Sequence, residues 1–313
     1  MIVLSSADVA ALTRAFDWFA ALEPKPAALA SLRQPKPNAL HFFDAEGKRA
    51  PALPEGASLM LRPGADRPKG LHAIEIAEPK VEFAHMTRVL RAARRADDIA
   101  ITRSGAFVSA SADIAPGCLI EAGAYVGPGV RLGRDAQIEA GAVLRSGVSI
   151  GARCRILANA VVGSDGFGHA FPPQSWPEPI AHLGGVEIGD EVDVGPGAFV
   201  SAGTIDPTII GAGTKIEGHA YIGHNAQLGA GVMVCAHAVV GGSAVVGDGV
   251  WINPGALIRT KVRIGNRATV GMGAVVMKAV AAGSTVMGDT AGEIRERLRR
   301  QVALERLVAE RSR

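Results

Sequence analysis

Aromatic residues make up only 4% of the 313-residue chain. A conventional sandwich core leans on large rings; a chain this poor in them, with 39 glycines, suits a thin prism of small aliphatic side chains. Cysteine is scarcer still. Cys118, Cys154 and Cys235 form no CxxC pair and no metal-ligand spacing, which excludes a disulfide framework and a cysteine zinc site. Two of them occupy small-residue places of a repeat described below, so all three are expected as buried free thiols in a reducing cytoplasm. A net charge of +3 gives no basis for a general nucleic-acid role. No 18-residue apolar stretch occurs, and the opening MIVLSSADVA lacks a basic n-region. No transmembrane segment and a cytoplasmic location are therefore expected.

What the chain has instead is a six-residue beat. It starts at Val108, runs through Ile114, Ile120 and Val126 to Val162, resumes at Ile188 to Val200, and resumes again from Ile210 to Val276. Every beat is Val, Ile or Leu. Neither a helical period nor strand alternation produces this spacing. A hexapeptide period specifies a parallel β-helix, three short strands to a triangular coil. Twenty-five beats give about eight coils. The aliphatic residue points into the prism, and position n lies beside n+18, ~4.8 Å along the axis. Glycine and Asx residues supply the tight corners.

Residues 1–103 have a different texture, a proline-rich small α+β domain. Strands are expected at Ala39 to Phe43, Ser58 to Leu61 and Leu71 to Ile76, and an amphipathic helix at Val81 to Arg95. Residues 104–287 form the β-helix, interrupted by an insertion at 163–185 that contains Gly166-Phe167-Gly168. Such a loop is either a binding element or a structural flap. A second break near Thr204 to Thr208 adds four residues at a corner. Residues 288–313 read as a C-terminal helix rich in arginine, which either packs against partner subunits or docks an acidic partner.

Among outward-facing positions, His224 stands out. It precedes Asn225, a polar neighbour able to orient it, and lies one coil from Gly242, since 224 plus 18 is 242. An imidazole able to take a proton from an amine, beside a bare backbone N–H able to bind an oxyanion, describes acyl transfer. One coil further, Thr260 is flanked by Arg259, Lys261 and Arg263, a cluster suited to a phosphate-bearing acyl carrier.

The segment Asn159-Ala-Val-Val-Gly-Ser-Asp-Gly-Phe-Gly-His-Ala, then Gly185-Val-Glu-Ile-Gly-Asp and Ile222-Gly-His-Asn, resemble the UDP-3-O-acylglucosamine N-acyltransferases of lipid A synthesis. Ala73-Ile-Glu-Ile-Ala-Glu-Pro-Lys-Val-Glu-Phe-Ala resembles that family's junction between nucleotide domain and β-helix. The resemblance implies a left-handed β-helix homotrimer with active sites between subunits. It implies transfer of a (3-hydroxy)acyl chain from the phosphopantetheine arm of acyl carrier protein to the 2-amine of a UDP-amino sugar, with no permanently bound cofactor and no metal. His224 would be the general base and Gly242 the oxyanion donor. Asn225, Phe42, Phe167 and Lys261 would line the substrate site, with Phe42 on the uracil. Met272 and Met277 would line the acyl groove, although core packing explains them equally well. Arg259, Arg263, Arg295, Arg299 and Arg300 would hold the carrier.

Four features depart from the family, one of them a solenoid one coil short before the SDGFG segment. Ser201-Ala202-Gly203 stands where Asp-Arg-Gly is usual, Lys261 where a second histidine is usual, and the tyrosine expected beside the uracil falls near Lys48. Three other readings of the fold compete. One is an acetyl-CoA-dependent N-acyltransferase. Another is a γ-type carbonic anhydrase using His182, His219 and His224, which Gly229 disfavours by standing where that family has a further histidine. The last is a non-catalytic β-helix.

Overall fold

The computed structural model describes residues 1–44, 50–65, 71–94, 98–102 and 104–288, together with 293–296, 298, 299, 302, 303 and 305. Each hexad is a short strand followed by a turn. The strands stack into three parallel faces. The first runs from Phe107–Ser109 to Val275–Val276, the second from Asp113–Ile114 to Arg263–Ile264, and the third from Leu119–Ile120 to Thr285–Val286. Thr285–Val286, beyond the last counted beat, extends the third face, so the solenoid is nearly nine coils long rather than eight. Antiparallel Ile99–Ile101 closes the N-terminal edge of the first face.

The register follows the 18-residue rule. Val126 lies opposite Leu144, and Leu144 opposite Val162. At the first break Val162 pairs with Val200, 38 residues on, so the insertion adds twenty. At the second, Val200 pairs with Ile222, 22 residues on, so that break adds four. From Val126 onward the beat residues are sealed inside the prism, with Val126, Leu144, Val162 and Ile222 all at 0% exposure, whereas Ile114 on the first coil is 37% exposed. Alanines such as Ala124, Ala142 and Ala160 fill its corners. This column of aliphatic contacts is the dominant stabilising term. Cys154 is buried in it, whereas Cys118 and Cys235 are half-buried; all three are free thiols.

The corners depart from expectation. Asp135, Asn159 and Asn225 take left-handed φ, but so do Arg153, His219, His237, Ser243, Lys261 and Arg267. The solenoid offsets that strain by tying the corner to the rung before it. Ser243 N–H donates to the His224 carbonyl (2.8 Å) and Lys261 N–H to the Gly242 carbonyl (3.0 Å).

The N-terminal unit is a five-stranded sheet in sequential order: β1 (Ile2–Val3), β2 (Ala28–Leu29), β3 (Ala39–Phe42), β4 (Ser58–Leu61) and β5 (His72–Glu75). Against it pack α1 (Ser6–Ala15), α2 (Asp17–Ala20) and α3 (Pro79–Ala93). Ser5 and Asp8 form a capping box at the start of α1, and Arg94 at the end of α3 grips the same carboxylate (2.8 Å). α1, α2 and the first two strands are not signalled by hydrophobic periodicity, whereas β3, β4, β5 and α3 match the expected positions to within two residues.

The insertion is clasped by α3. Its strands His169–Ala170 and Glu178–Pro179 pair antiparallel. His85 and Arg88 hold Glu178 at 2.5 and 2.7 Å. Arg91 takes both oxygens of Asp165, at 2.5 and 2.6 Å. Ala170, Ile180 and Ile205 complete the apolar core of the N-terminal unit. The two units meet at the insertion and at the second break.

Candidate active site

His224 follows the first-face strand Tyr221–Ile222 and sits at the corner leading to the second face, half-buried and outside the prism. Its surroundings determine its tautomer. The Asn225 amide nitrogen donates to the Asp206 carbonyl (2.7 Å), and the Asn225 Oδ1 accepts from Thr204 N–H (3.2 Å) and Thr204 Oγ1 (3.1 Å). A backbone N–H can only donate and a carbonyl only accept, so the amide has one possible orientation. Oδ1 lies 3.1 Å from His224 Nδ1, which must therefore carry the proton. The lone pair of the neutral ring is left on Nε2.

The second break in the solenoid supplies this arrangement. Its four extra residues turn the Thr204 amide and the Asp206 carbonyl inward onto Asn225, while Thr208 Oγ1 accepts the Asn225 N–H (2.8 Å). Gly203 is required by contact. A Cβ there would lie 1.8 Å from the Asp206 carbonyl oxygen and 2.8 Å from the Asn225 amide nitrogen. The Asp206 carboxylate accepts a hydrogen bond from Ser31 Oγ of the N-terminal unit.

Gly242 closes the other end of the ring. A Cβ at 242 would fall 2.8 Å from His224 Nε2. Among the described residues the Gly242 N–H has no hydrogen-bond partner, and the reason lies in the repeat. At three corners that follow third-face strands a glutamate 19 residues earlier caps the amide. Glu121 caps Ala140 (3.0 Å), Glu139 caps Ala158 (3.0 Å) and Glu217 caps Ala236 (2.9 Å). On the first face, by contrast, the amides of Ser146, His224 and Thr260 are, among the described residues, as open as that of Gly242. Nineteen residues before Gly242 stands Gly223, which has no side chain to offer. The Nε2 edge of His224 and the open amide of Gly242 thus share one corner.

Two glycines of the insertion lie against imidazoles. A Cβ at Gly166 would meet the His224 Cβ at 2.8 Å, and one at Gly168 would meet His182 Cε1 at 2.9 Å. Phe167 between them is 83% exposed. His182 packs on His224 with ring centroids 5.1 Å apart at 69°. Burial, reinforced by the neighbouring His224, pulls the His182 pKa down to about 4, against the opposing pull of Asp165. With His182 neutral, the 4.0 Å approach of Asp165 to its Nδ1 is no ion pair. Asp165 belongs to Arg91, whose bonds outweigh burial and keep the carboxyl below its usual range.

The sign of the resulting pH effect follows directly. Between pH 6.5 and about 4 the unfolded chain binds a proton at His182 that the folded chain refuses, so this contribution is intact above pH 6.5 and lost as pH falls towards 4. The loss is on the order of 3 kcal/mol. Denaturant melts at pH 7 and 4.5 should show the wild type losing more stability than His182→Gln; equal losses would remove His182 as the cause.

The remaining expected residues are placed as follows. Arg259, Lys261 and Arg263 are exposed around Thr260, on the rung beyond Gly242. Met272 and Met277 are 73% and 52% exposed, which removes core packing as their explanation. They lie before and after the strand Val275–Val276. Phe42 is half-buried and stacks on Phe83 of α3 (4.3 Å, 17°), leaving at most one face for a base. Lys48 and Arg300 lie outside the described residues, whereas Arg295 and Arg299 are exposed. The histidines proposed for zinc do not converge within the chain, because His219 stacks on His237 (5.3 Å, 8°) at a different corner. Ser201, in the departing tripeptide, is buried and donates to Tyr221 Oη (3.1 Å). Sequence reasoning missed Thr204, Asp206 and Thr208, and considered His182 only as a metal ligand. All lie in or beside the two breaks, where the 18-residue rule gives no neighbours.

Three stretches, residues 129–164, 207–242 and 243–278, match the bacterial transferase hexapeptide repeat. Over 67 residues, 21% of this chain and 19% of the relative, the sequence is 42% identical to the UDP-3-O-acylglucosamine N-acyltransferase of Neisseria gonorrhoeae strain NCCP11945. Over 64 residues, 20% of this chain and 18% of the relative, it is 45% identical to the enzyme of the same name from Leptothrix cholodnii. The match spans about a fifth of the length of these curated relatives. Among solved structures, the UDP-N-acetylglucosamine acyltransferase of Francisella novicida superposes with a TM-score of 0.55 at 23% identity, over 64% of this chain and 72% of the other. That of Bacteroides fragilis gives 0.53 at 22%, over 64% and 78%. These likenesses show the left-handed β-helix fold, and the sequence relatives are the family that the SDGFG and IGHN motifs resemble.

Proposed function

We propose that this chain is an N-acyltransferase that moves a 3-hydroxyacyl group from the phosphopantetheine arm of acyl carrier protein to the 2-amine of a UDP-linked glucosamine. The observation that carries this reading is the His224 tautomer. With Nδ1–H committed to Asn225, the Nε2 lone pair is the base, and it lies beside an amide that nothing caps.

The steps balance as follows. The amine nitrogen attacks the thioester carbonyl while His224 Nε2 takes the amine proton. The tetrahedral oxyanion accepts the Gly242 N–H. Collapse breaks the C–S bond, and the departing thiolate recovers the proton from His224. The product is an amide and the free carrier thiol.

A homotrimer with its sites at subunit boundaries agrees with the first face. Its outward column reads Phe107, Tyr125, Val143, Val161, Phe199, Tyr221, Val239, Leu257 and Val275, without one polar-uncharged or charged residue other than the two tyrosines. The second face presents Asp113, Arg131, Ser149 and Glu187 over its first four rungs. A continuous apolar stripe of this length is an association surface, and His224 stands at its edge. Exposed Met272 and Met277 at the far end suit an acyl chain, Phe42 and the N-terminal sheet the uridine end, and Arg259, Lys261 and Arg263 the carrier's phosphate. Among the described residues no helix is long and apolar enough to cross a membrane.

The decisive experiment offers UDP-amino sugars with a mixed pool of acyl-carrier thioesters and identifies the product by mass spectrometry. A 3-hydroxyacyl amide is expected. Turnover with acetyl-CoA and none with 3-hydroxyacyl carrier protein would overturn the donor assignment. The basic C-terminal segment supplies a second test. Charge reversal at Arg295, Arg299 and Arg300 should raise the KM for carrier by roughly tenfold at low salt, with kcat preserved and the difference shrinking as salt rises. An unmoved KM would leave the segment as a packing element, for which its exposed Ile294 and Leu298 are suited.

A further inference from the structure

His182 is out of place as a structural residue. Its side chain is 0% exposed. Its Nδ1 lies 3.0 Å from the Ile180 carbonyl, which can only accept, so Nδ1 carries the proton. The Nε2 lone pair is then buried without a partner among the described residues. A buried unpaired acceptor is unfavourable, and a leucine or phenylalanine would fill the space without that penalty. The chain nevertheless holds this ring firmly. The His182 N–H donates to Asp165 (3.3 Å), its carbonyl accepts from Arg91 of α3 (2.9 Å), and the next residue inward, Ala181, donates to Thr87 (3.1 Å). Gly168 covers it closely enough that no side chain fits there. All of this presents the ring to one neighbour, His224.

We propose that His182 is a positioning residue for the proton transfer: its neutral ring, sealed within the insertion, is the aromatic surface against which His224 holds the charge it acquires. When Nε2 of His224 takes the amine proton, a positive ring comes to lie 5.1 Å from the centroid of a neutral one, within cation–π range. The edge-to-face angle of 69° also fixes the plane of the base. The groups facing His182 are Asp165, Arg91 and His224. Asp165 and Arg91 neutralise each other, so His224 is the one neighbour whose charge changes during turnover. Because His182 is held uncharged by burial, it does not compete for the proton.

This inference rests on His224 acting as base in acyl transfer. The test compares His182→Leu, which keeps an apolar filling without a ring, with His182→Phe, which keeps the ring. Both lose the bond to Ile180 equally. His182→Leu is expected to lower kcat about tenfold with both KM values unchanged, and to move the acid limb of kcat/KM to lower pH because the charged base is less favoured. His182→Phe should stay within about threefold of wild type. Equal behaviour of the two variants, whether both active or both impaired, overturns the proposal. Should either variant fail to fold, long-range ¹⁵N–¹H spectra of the unliganded wild type decide. His182 should remain the Nδ1–H tautomer to pH 5; protonation of His182 together with His224 overturns it. A parallel His224→Ala separates the two ideas. If that variant is inactive while Leu and Phe at 182 are equivalent, acyl transfer stands and His182 alone is removed. If that variant retains full activity, both fall.

Discussion

His224→Ala is expected to lower turnover by about 10²-fold or more while the β-helix stays folded, in line with loss of a general base. The fold should survive because the imidazole lies outside the prism. The backbone at this corner is held by the bond from Ser243 N–H to the His224 carbonyl, which the substitution leaves in place. Asn225 keeps its bonds to Thr204 and Asp206, so the loop behind the base does not lose its anchor. KM for the acceptor should change little, since the ring's role is to take a proton rather than to bind the sugar. Turnover measured with carrier thioester, beside a thermal melt of the same preparation, separates chemistry from folding. Activity near that of the wild type would remove His224 from the role, and with it the reason for reading this corner as a transferase site.

How far the residues announced this site depends on where the repeat holds. Between Ile210 and Val276 each rung repeats the last, so His224 and Gly242 could be set side by side by counting eighteen, and the structure brings a Cβ at Gly242 to 2.8 Å from Nε2. The same arithmetic gave the register of the faces and the four residues added at the second break. It failed where the chain leaves the solenoid. His182, Thr204 and Asp206 reach His224 or Asn225 through loops that obey no period, so only coordinates place them. In the N-terminal unit, two-residue strands such as Ile2–Val3 and Ala28–Leu29 are too short to show alternation. Phe42 was legible as an aromatic on a strand, but its stacking on Phe83 of α3 is a tertiary contact that strand pattern does not reveal. The corners show the converse limit. Glycine and Asx were expected there, yet Arg153 and Lys261 take the same left-handed conformation because rung-to-rung hydrogen bonds over-determine it.

Gly242→Ala should lower kcat on the order of 10²-fold, the scale of removing one oxyanion donor, although the substitution leaves the amide itself in place. Two effects combine. The new methyl would lie 2.8 Å from His224 Nε2 and 3.1 Å from Cε1, so the ring must swing away from the position in which Asn225 holds it. The methyl also occupies the space through which a thioester carbonyl approaches the 242 N–H. Stability should hardly change. Gly242 is not among the glycines with left-handed φ, so alanine meets no backbone strain, and the nearest atoms are the end of a side chain at the surface of the prism. This separates it from Gly203→Ala, where the Cβ would meet the Asp206 carbonyl at 1.8 Å and the backbone itself must yield. A Gly242→Ala protein with an unchanged melt and unchanged kcat would mean that the oxyanion is held elsewhere. An unchanged melt with kcat lowered a hundredfold, further loss of His224 then adding little, is the result expected of a base and an amide that work on one tetrahedral carbon.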